Sequence, residues 1–147
     1  MQPISPQELE ARIDARYRVF LILWAAILMS VLFLSALAMA IPAQTNPNPA
    51  LNYALLAIGL MMIVISLVMR QRMMQKALEK SSLADLQTAH IVGIALCESA
   101  ALFGLVDHFT AGSNISWFLM AASALGLLLH FPRKEQVRAA SEKPTIM

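Results

Sequence analysis

No Asp, Glu, Lys or Arg occurs from residue 19 through residue 69. Runs of about 20 apolar residues suffice to cross a hydrocarbon core roughly 30 Å thick, so this stretch holds two crossings. Two further apolar runs follow, and only 14% of the whole chain is charged, against about 25% in a soluble domain. The sequence predicts an all-α polytopic membrane protein, a bundle of four transmembrane helices over about 19–41, 51–69, 88–106 and 115–131. Residues 1–138 form one membrane domain with no room for a separate soluble one. A cytoplasmic helical extension is expected over 6–18, a cytoplasmic loop over 70–87, and a disordered tail over 139–147.

The basic residues set the orientation. Arg12, Arg16 and Arg18 precede the first span, Arg70, Arg72, Lys76 and Lys80 separate the second from the third, and Arg133, Lys134, Arg138 and Lys143 follow the fourth. The other two loops have none. Basic loops stay on the cytoplasmic side, so the expected topology is N-in, C-in, in a bacterial inner membrane. The basic groups flank spans, which reads as an orientation signal and not as a nucleic-acid surface. Ala38-Met39-Ala40 resembles a signal-peptide cleavage site, but the apolar run before it exceeds the 7–15 residues of a signal core, so the first span is expected to be retained.

Local chemistry marks the helix starts. Ser5-Pro6-Gln7-Glu8 has the form of a capping box, with Ile4 stapling onto Leu9. Asn48-Pro49 begins the second span and Ser82 caps the third. Phe131-Pro132 ends the fourth, because the residue before proline disfavours helix. Lipid removes most of the hydrophobic drive between helices, so small residues and polar contacts must bring them together. Gly93, Cys97 and Ala101 recur at four-residue spacing on the third span, with Gly104 three residues on. This helix is expected to be the most buried.

Glu98 sits within about one residue of the third span's midpoint, and each residue rises about 1.5 Å. Ser30 and Ser123 mark the midpoints of the first and fourth spans, and Gly59 lies near that of the second. A midplane carboxylate is costly when ionised and unpaired. Glu98 is therefore expected to be buried, to hold its proton at neutral pH, and to bond Ser30, Ser123 or both. The lone Cys97 excludes an intrachain disulfide.

The segment 90–106, His-Ile-Val-Gly-Ile-Ala-Leu-Cys-Glu-Ser-Ala-Ala-Leu-Phe-Gly-Leu-Val, resembles the ion-binding helix of the proteolipid (c) subunits of rotary ATPases. Arg70-Gln71 is similar to the cytoplasmic turn of those hairpins. The resemblance implies that Glu98 carries a proton or sodium ion past an arginine of another subunit. The chain departs from that family in its glycine-poor second span, its longer middle loop, and a carboxyl on the third span rather than the last.

His90 and His130 come to similar depth in an antiparallel bundle. They are candidate haem ligands, weighed against two interfacial histidines. Asp107-His108 reads as a solvated cap pair. No catalytic triad, phosphate-binding loop or metal-ligand spacing is present. Three functional readings result. The first is a small non-enzymatic membrane protein without a cofactor, whose Glu98 supports helix packing or the assembly of a homo-oligomer or membrane complex. The second is a proton- or cation-handling component, and the third a haem-binding anchor. The first asks least, because one carboxyl without a counter-charge is not a transport mechanism.

Overall fold

The computed structural model describes residues 5–43, 48–80, 82–112 and 114–142. Among them are five helices and no strand: α1 (Pro6–Ala40), α2 (Pro49–Glu79), α3 (Leu83–Thr110), α4 (Ile115–Leu129) and α5 (Lys134–Glu142).

The starts are set by side chains that satisfy orphan amide groups. Ser5 Oγ accepts from Glu8 N at 3.2 Å, and Glu8 Oε2 accepts from Ser5 N at 3.1 Å, closing the capping box before Pro6. The expected Ile4 staple lies outside the described residues. Asn48 Oδ1 caps α2 through Leu51 N, and Ser82 Oγ caps α3 through Asp85 N.

Ser82 also corrects the expected loop over 70–87. Its own N–H returns to Ala77 O at 3.0 Å, a bond that closes the end of a helix. One residue thus ends α2 and opens α3, and most of that stretch is helical. The tight turn fixes the register of the α2–α3 hairpin. Positions equidistant from it face each other, so Ser66 meets Gly93 and Cys97. Gly59 comes level with Gly104, both of them against Leu119. Gly59 is therefore about a turn away from the Glu98 layer in which the sequence placed it. At the other end Gly112, at φ 62°, turns the chain out of α3, a conformation that glycine adopts without strain.

α3 is the centre. It packs on α1, α2, α4 and α5, whereas the backbones of α1 and α2 do not approach each other closely among the described residues. Of its apolar stretch 44% is buried, against 22% for α2 and 11% for α1. The reason is compositional: Gly93, Cys97, Ala101 and Gly104 let neighbouring helices approach closely.

Three helices, α1 to α3, are long and apolar enough to cross a membrane. α4 has 15 residues, about 22 Å of rise. It reaches crossing length only when taken with the following helix as one span bent by 47°. The break spans residues 130–133, and α4 ends two residues earlier than the sequence suggested.

The stretch from 139 is not all tail. α5 continues through Ala139 and Ala140 to Glu142, and residues 143–147 lie outside the described region. Nine residues do not sustain a helix alone. Docking supplies the stability, because Val137 and Ala140 join Ile13, Phe20, Ala77 and Leu86 in a cluster that closes this end of the bundle. Around it Lys134 bridges Glu10 and Asp14 at 3.0 and 2.5 Å, and Arg138 reaches Glu10 at 2.6 Å. Asp14 thus pairs across to α5 rather than only along its own helix. The described lysines and arginines all lie on segments that meet at this end.

Candidate functional site

Two polar arrangements lie on opposite sides of α3 at nearly one level. On the α1 side, Ser30 Oγ donates to Glu98 Oε1 at 2.6 Å. Both residues are only half-buried, short of the full enclosure expected of Glu98. The second carboxyl oxygen has no hydrogen-bond partner among the described residues. The other expected partner, Ser123, is fully buried and donates to Cys97 O instead. Helix geometry explains the split: consecutive residues lie about 100° apart around α3, so the face that receives α4 at Cys97 cannot also present Glu98 to it.

On the far side, Ser66 of α2, Cys97 of α3 and His130 after α4 meet, each with 0% exposure. His130 Nδ1 lies 2.6 Å from Gly126 O. A carbonyl only accepts, so Nδ1 carries a hydrogen. Nε2 lies 2.9 Å from Ser66 Oγ, which is also 2.7 Å from Gly93 O and 3.3 Å from Cys97 Sγ. With a neutral ring the Ser66 hydroxyl donates to Nε2. With a doubly protonated ring Nε2 donates to Oγ and the hydroxyl turns to Gly93 O. The buried polar atoms are satisfied in both cases, which removes a penalty of about 1–3 kcal/mol per unpaired group.

Gly93 makes this convergence possible. A Cβ there would lie 2.7 Å from His130 Cδ2 and 3.0 Å from Nε2. Likewise a Cβ at Gly104 would lie 2.9 Å from Ser116 O, and one at Gly126 would lie 3.0 Å from Cys97 Sγ. Ala101 packs with Val31, Ile94, Cys97 and Leu127. All four small positions singled out on α3 are thus at helix contacts. Ser66 and His130 stand at the distance of a nucleophile and its base, yet neither has any exposed surface, and their bonds tie α2, α3 and α4 together.

Both histidines are buried within the bundle. His130 has both ring nitrogens engaged, leaving none for iron without breaking its bonds. His90, 4% exposed, stacks edge-on against Phe20 at 5.3 Å, and its Nε2 is buried without a partner. Among the described residues no three His, Cys, Asp or Glu side chains cluster as metal ligands do.

No protein-family model matches the chain, and neither a curated protein nor a solved structure does. Function has to be argued from the residues themselves.

Further contacts were missed in the sequence. Asp107 and His108 are buried, not solvated. His108 Nε2 lies 2.9 Å from Ile41 O, so it donates to the last turn of α1, and its ring packs against Trp117. Trp24 Nε1 donates to Leu127 O at 2.7 Å, a second tie from α1 to α4. Arg70, one turn after Ser66, donates through Nη1 to Leu129 O at 3.3 Å, while its Nε is enclosed without an acceptor. The signal for Ser66 and Arg70 was present: Gly59, Ser66 and Arg70 fall on one face of α2 at spacings of seven and four.

Proposed function

We propose that this protein is a small, non-enzymatic integral membrane subunit whose mid-bilayer carboxyl, Glu98, joins α1 to α3 and docks a partner in a membrane complex or homo-oligomer. The observation that carries this reading is the half-satisfied carboxyl: Oε1 is bonded to Ser30 while Oε2 is left open at the α1–α3 seam. A polar group facing acyl chains finds its hydrogen bond in a neighbouring helix, and such bonds contribute about 0.6–1.7 kcal/mol in membranes. The chain crosses the bilayer four times, with α4 as a short fourth span, α5 on the cytoplasmic surface and both termini cytoplasmic. The grouping of basic residues at one end supports that orientation.

The test is mass measurement of the complex in mild detergent with wild-type protein, Glu98→Gln and Glu98→Leu. Glutamine keeps hydrogen-bonding capacity and should hold most of the assembly. Leucine should release the partner while the chain stays helical. A wild-type protein that runs as a bare monomer, or a leucine variant that assembles normally, would refute the reading.

The open oxygen also favours a second reading, a proton- or cation-handling component resembling a rotary proteolipid. Labelling of Glu98 by a hydrophobic carbodiimide, with protection by sodium, would support that reading. Labelling indifferent to sodium and pH would count against it.

A further inference from the structure

At the basic end of the bundle, a cavity of about 310 Å³ lies between α2 and the corner where α4 breaks into α5. Its walls are Arg70, Leu128, Leu129, Phe131, Arg133 and Gln136. Two guanidinium groups and one amide line it, and no carboxylate does. Of the acids at this end, Glu10 and Asp14 bind Lys134 and Arg138, and Glu79, Asp85 and Glu135 do not line the cavity. Neither Arg70 nor Arg133 forms an ion pair among the described residues, and their like charges act on each other. Arg70 spends one nitrogen on Leu129 O and keeps Nε enclosed without an acceptor. Beside the charges the wall is apolar and open, with Leu128, Leu129 and Phe131 at 52%, 66% and 44% exposure.

From this juxtaposition we infer that the cavity is a binding site for an anionic phospholipid, whose phosphate sits between Arg70 and Arg133 and whose acyl chains lie along Leu128, Leu129 and Phe131. Guanidinium groups match phosphate oxygens in charge and fork geometry. Basic pockets between helices on the cytoplasmic side are where acidic headgroups bind. Gln136 adds a side-chain amide donor for a phosphate or headgroup oxygen. The inner walls favour a lipid over free phosphate, because inorganic phosphate has no use for three exposed apolar side chains. The inference rests on the chain residing in a bilayer and is independent of the role of Glu98.

The experiment is native mass spectrometry of the full chain released from nanodiscs of equal phosphatidylglycerol and phosphatidylcholine, with bound lipid counted. Wild-type protein should retain phosphatidylglycerol about tenfold over phosphatidylcholine. Arg133→Gln, at an exposed position without an ion pair among the described residues, should reduce that preference at least fivefold, as should Arg70→Gln. Arg72→Gln, exposed on the same helix but outside the cavity, should leave it unchanged. Equal retention of both lipids, or an equal drop in all three variants, would overturn the inference. So would displacement of the lipid by 10 mM inorganic phosphate at constant ionic strength, which would identify a free-phosphate site. Glu98→Gln should have no effect on lipid retention, so failure here and failure of the proposed assembly role remain distinguishable.

Discussion

Replacing Gly93 by alanine adds one methyl group at the point where α2, α3 and the end of α4 converge. In an exposed helix the change would stabilise by about 1 kcal/mol, because alanine is the better helix former. Here the new Cβ would stand 2.7 Å from His130 Cδ2, 3.0 Å from Nε2 and 3.3 Å from Arg70 Cβ. The ring cannot swing aside, since Gly126 O holds one nitrogen and Ser66 Oγ the other. Overpacking of this kind costs about 1–3 kcal/mol, and disturbing the buried Ser66–His130 bond adds about 0.5–1.5 kcal/mol. After the helix-propensity gain, Gly93→Ala should destabilise by about 0.5–3.5 kcal/mol. Unfolding by sodium dodecyl sulfate in mixed micelles, followed by far-ultraviolet circular dichroism, reads this directly. A double-mutant cycle assigns the cause. In a His130→Ala background the obstructing ring is gone, so the added methyl should be nearly neutral, with a coupling of about 2 kcal/mol. A Gly93→Ala protein as stable as wild type would refute the reasoning. So would a penalty that persists undiminished without the His130 ring.

Further outcomes follow from the same contacts. Trp24→Phe keeps most of the ring but loses the bond to Leu127 O, and should destabilise by about 0.5–1.5 kcal/mol in the same assay; no change would remove that bond from the account. Cys97 has no exposed surface, so N-ethylmaleimide should label it only after denaturation, and rapid labelling of folded protein would contradict its burial. Hydrogen bonds from Lys134 hold Glu10 and Asp14 below their ordinary values of 4.5 and 3.8, with Arg138 assisting at Glu10, while Asp14 and then Glu10 hold Lys134 above 10.5. Depressed carboxylates stabilise the docked α5 above their ordinary values, and that contribution is lost as pH falls through the folded-state values. The raised lysine contributes fully below 10.5 and stops as pH rises past its folded value. The separation between spin labels at Arg12→Cys and Glu135→Cys should therefore be narrowly distributed at neutral pH and broaden at acid and alkaline extremes; a distribution unchanged at pH about 3 would show that the ion pairs do not hold α5.

The sequence was most legible where one residue type acts through its own backbone neighbourhood. Ser5, Asn48 and Ser82 were readable as caps because their partners lie three residues ahead. The apolar runs of α1 to α3 needed only length and composition. The small residues of α3 marked it as central because their spacing is local. The Glu98–Ser30 contact followed from depth arithmetic, which works when both helices are straight and adjacent. The same arithmetic misplaced Gly59, because hairpin register is set where Ser82 bonds back to Ala77 O and not by span midpoints. Ser66 and His130 escaped notice because neither is unusual alone: a serine is tolerated in an apolar helix, and a histidine at a span end looks interfacial. Only the convergence of three helices makes them a unit. α5 was missed for a related reason, since its nine residues, though mostly good helix formers, are too few to hold a helix without docking against Ile13 and Phe20.

The two sides of α3 differ in what they leave unfinished, and that difference indicates where a partner would act. The Ser66–Cys97–His130 side is closed: its polar atoms have mates within the fold, and glycine at 93 and 126 lets the helices meet at contact distance. The α1 side is looser. α1 buries 11% of its apolar stretch, and discrete ties hold it, namely Ser30 to Glu98, Trp24 to Leu127 O, Ile41 O to His108 and the cluster with α5. A helix held at points rather than along a seam can give ground to a neighbour without unfolding the α2–α3–α4 core. A partner bound to the open oxygen of Glu98 would lie along α1, and substitutions on that face should change assembly more than stability. Leucine at Phe33, which is exposed near the level of Ser30, should then leave the detergent melting curve in place while weakening the complex. An equal loss in both measurements would mean that the face serves folding instead.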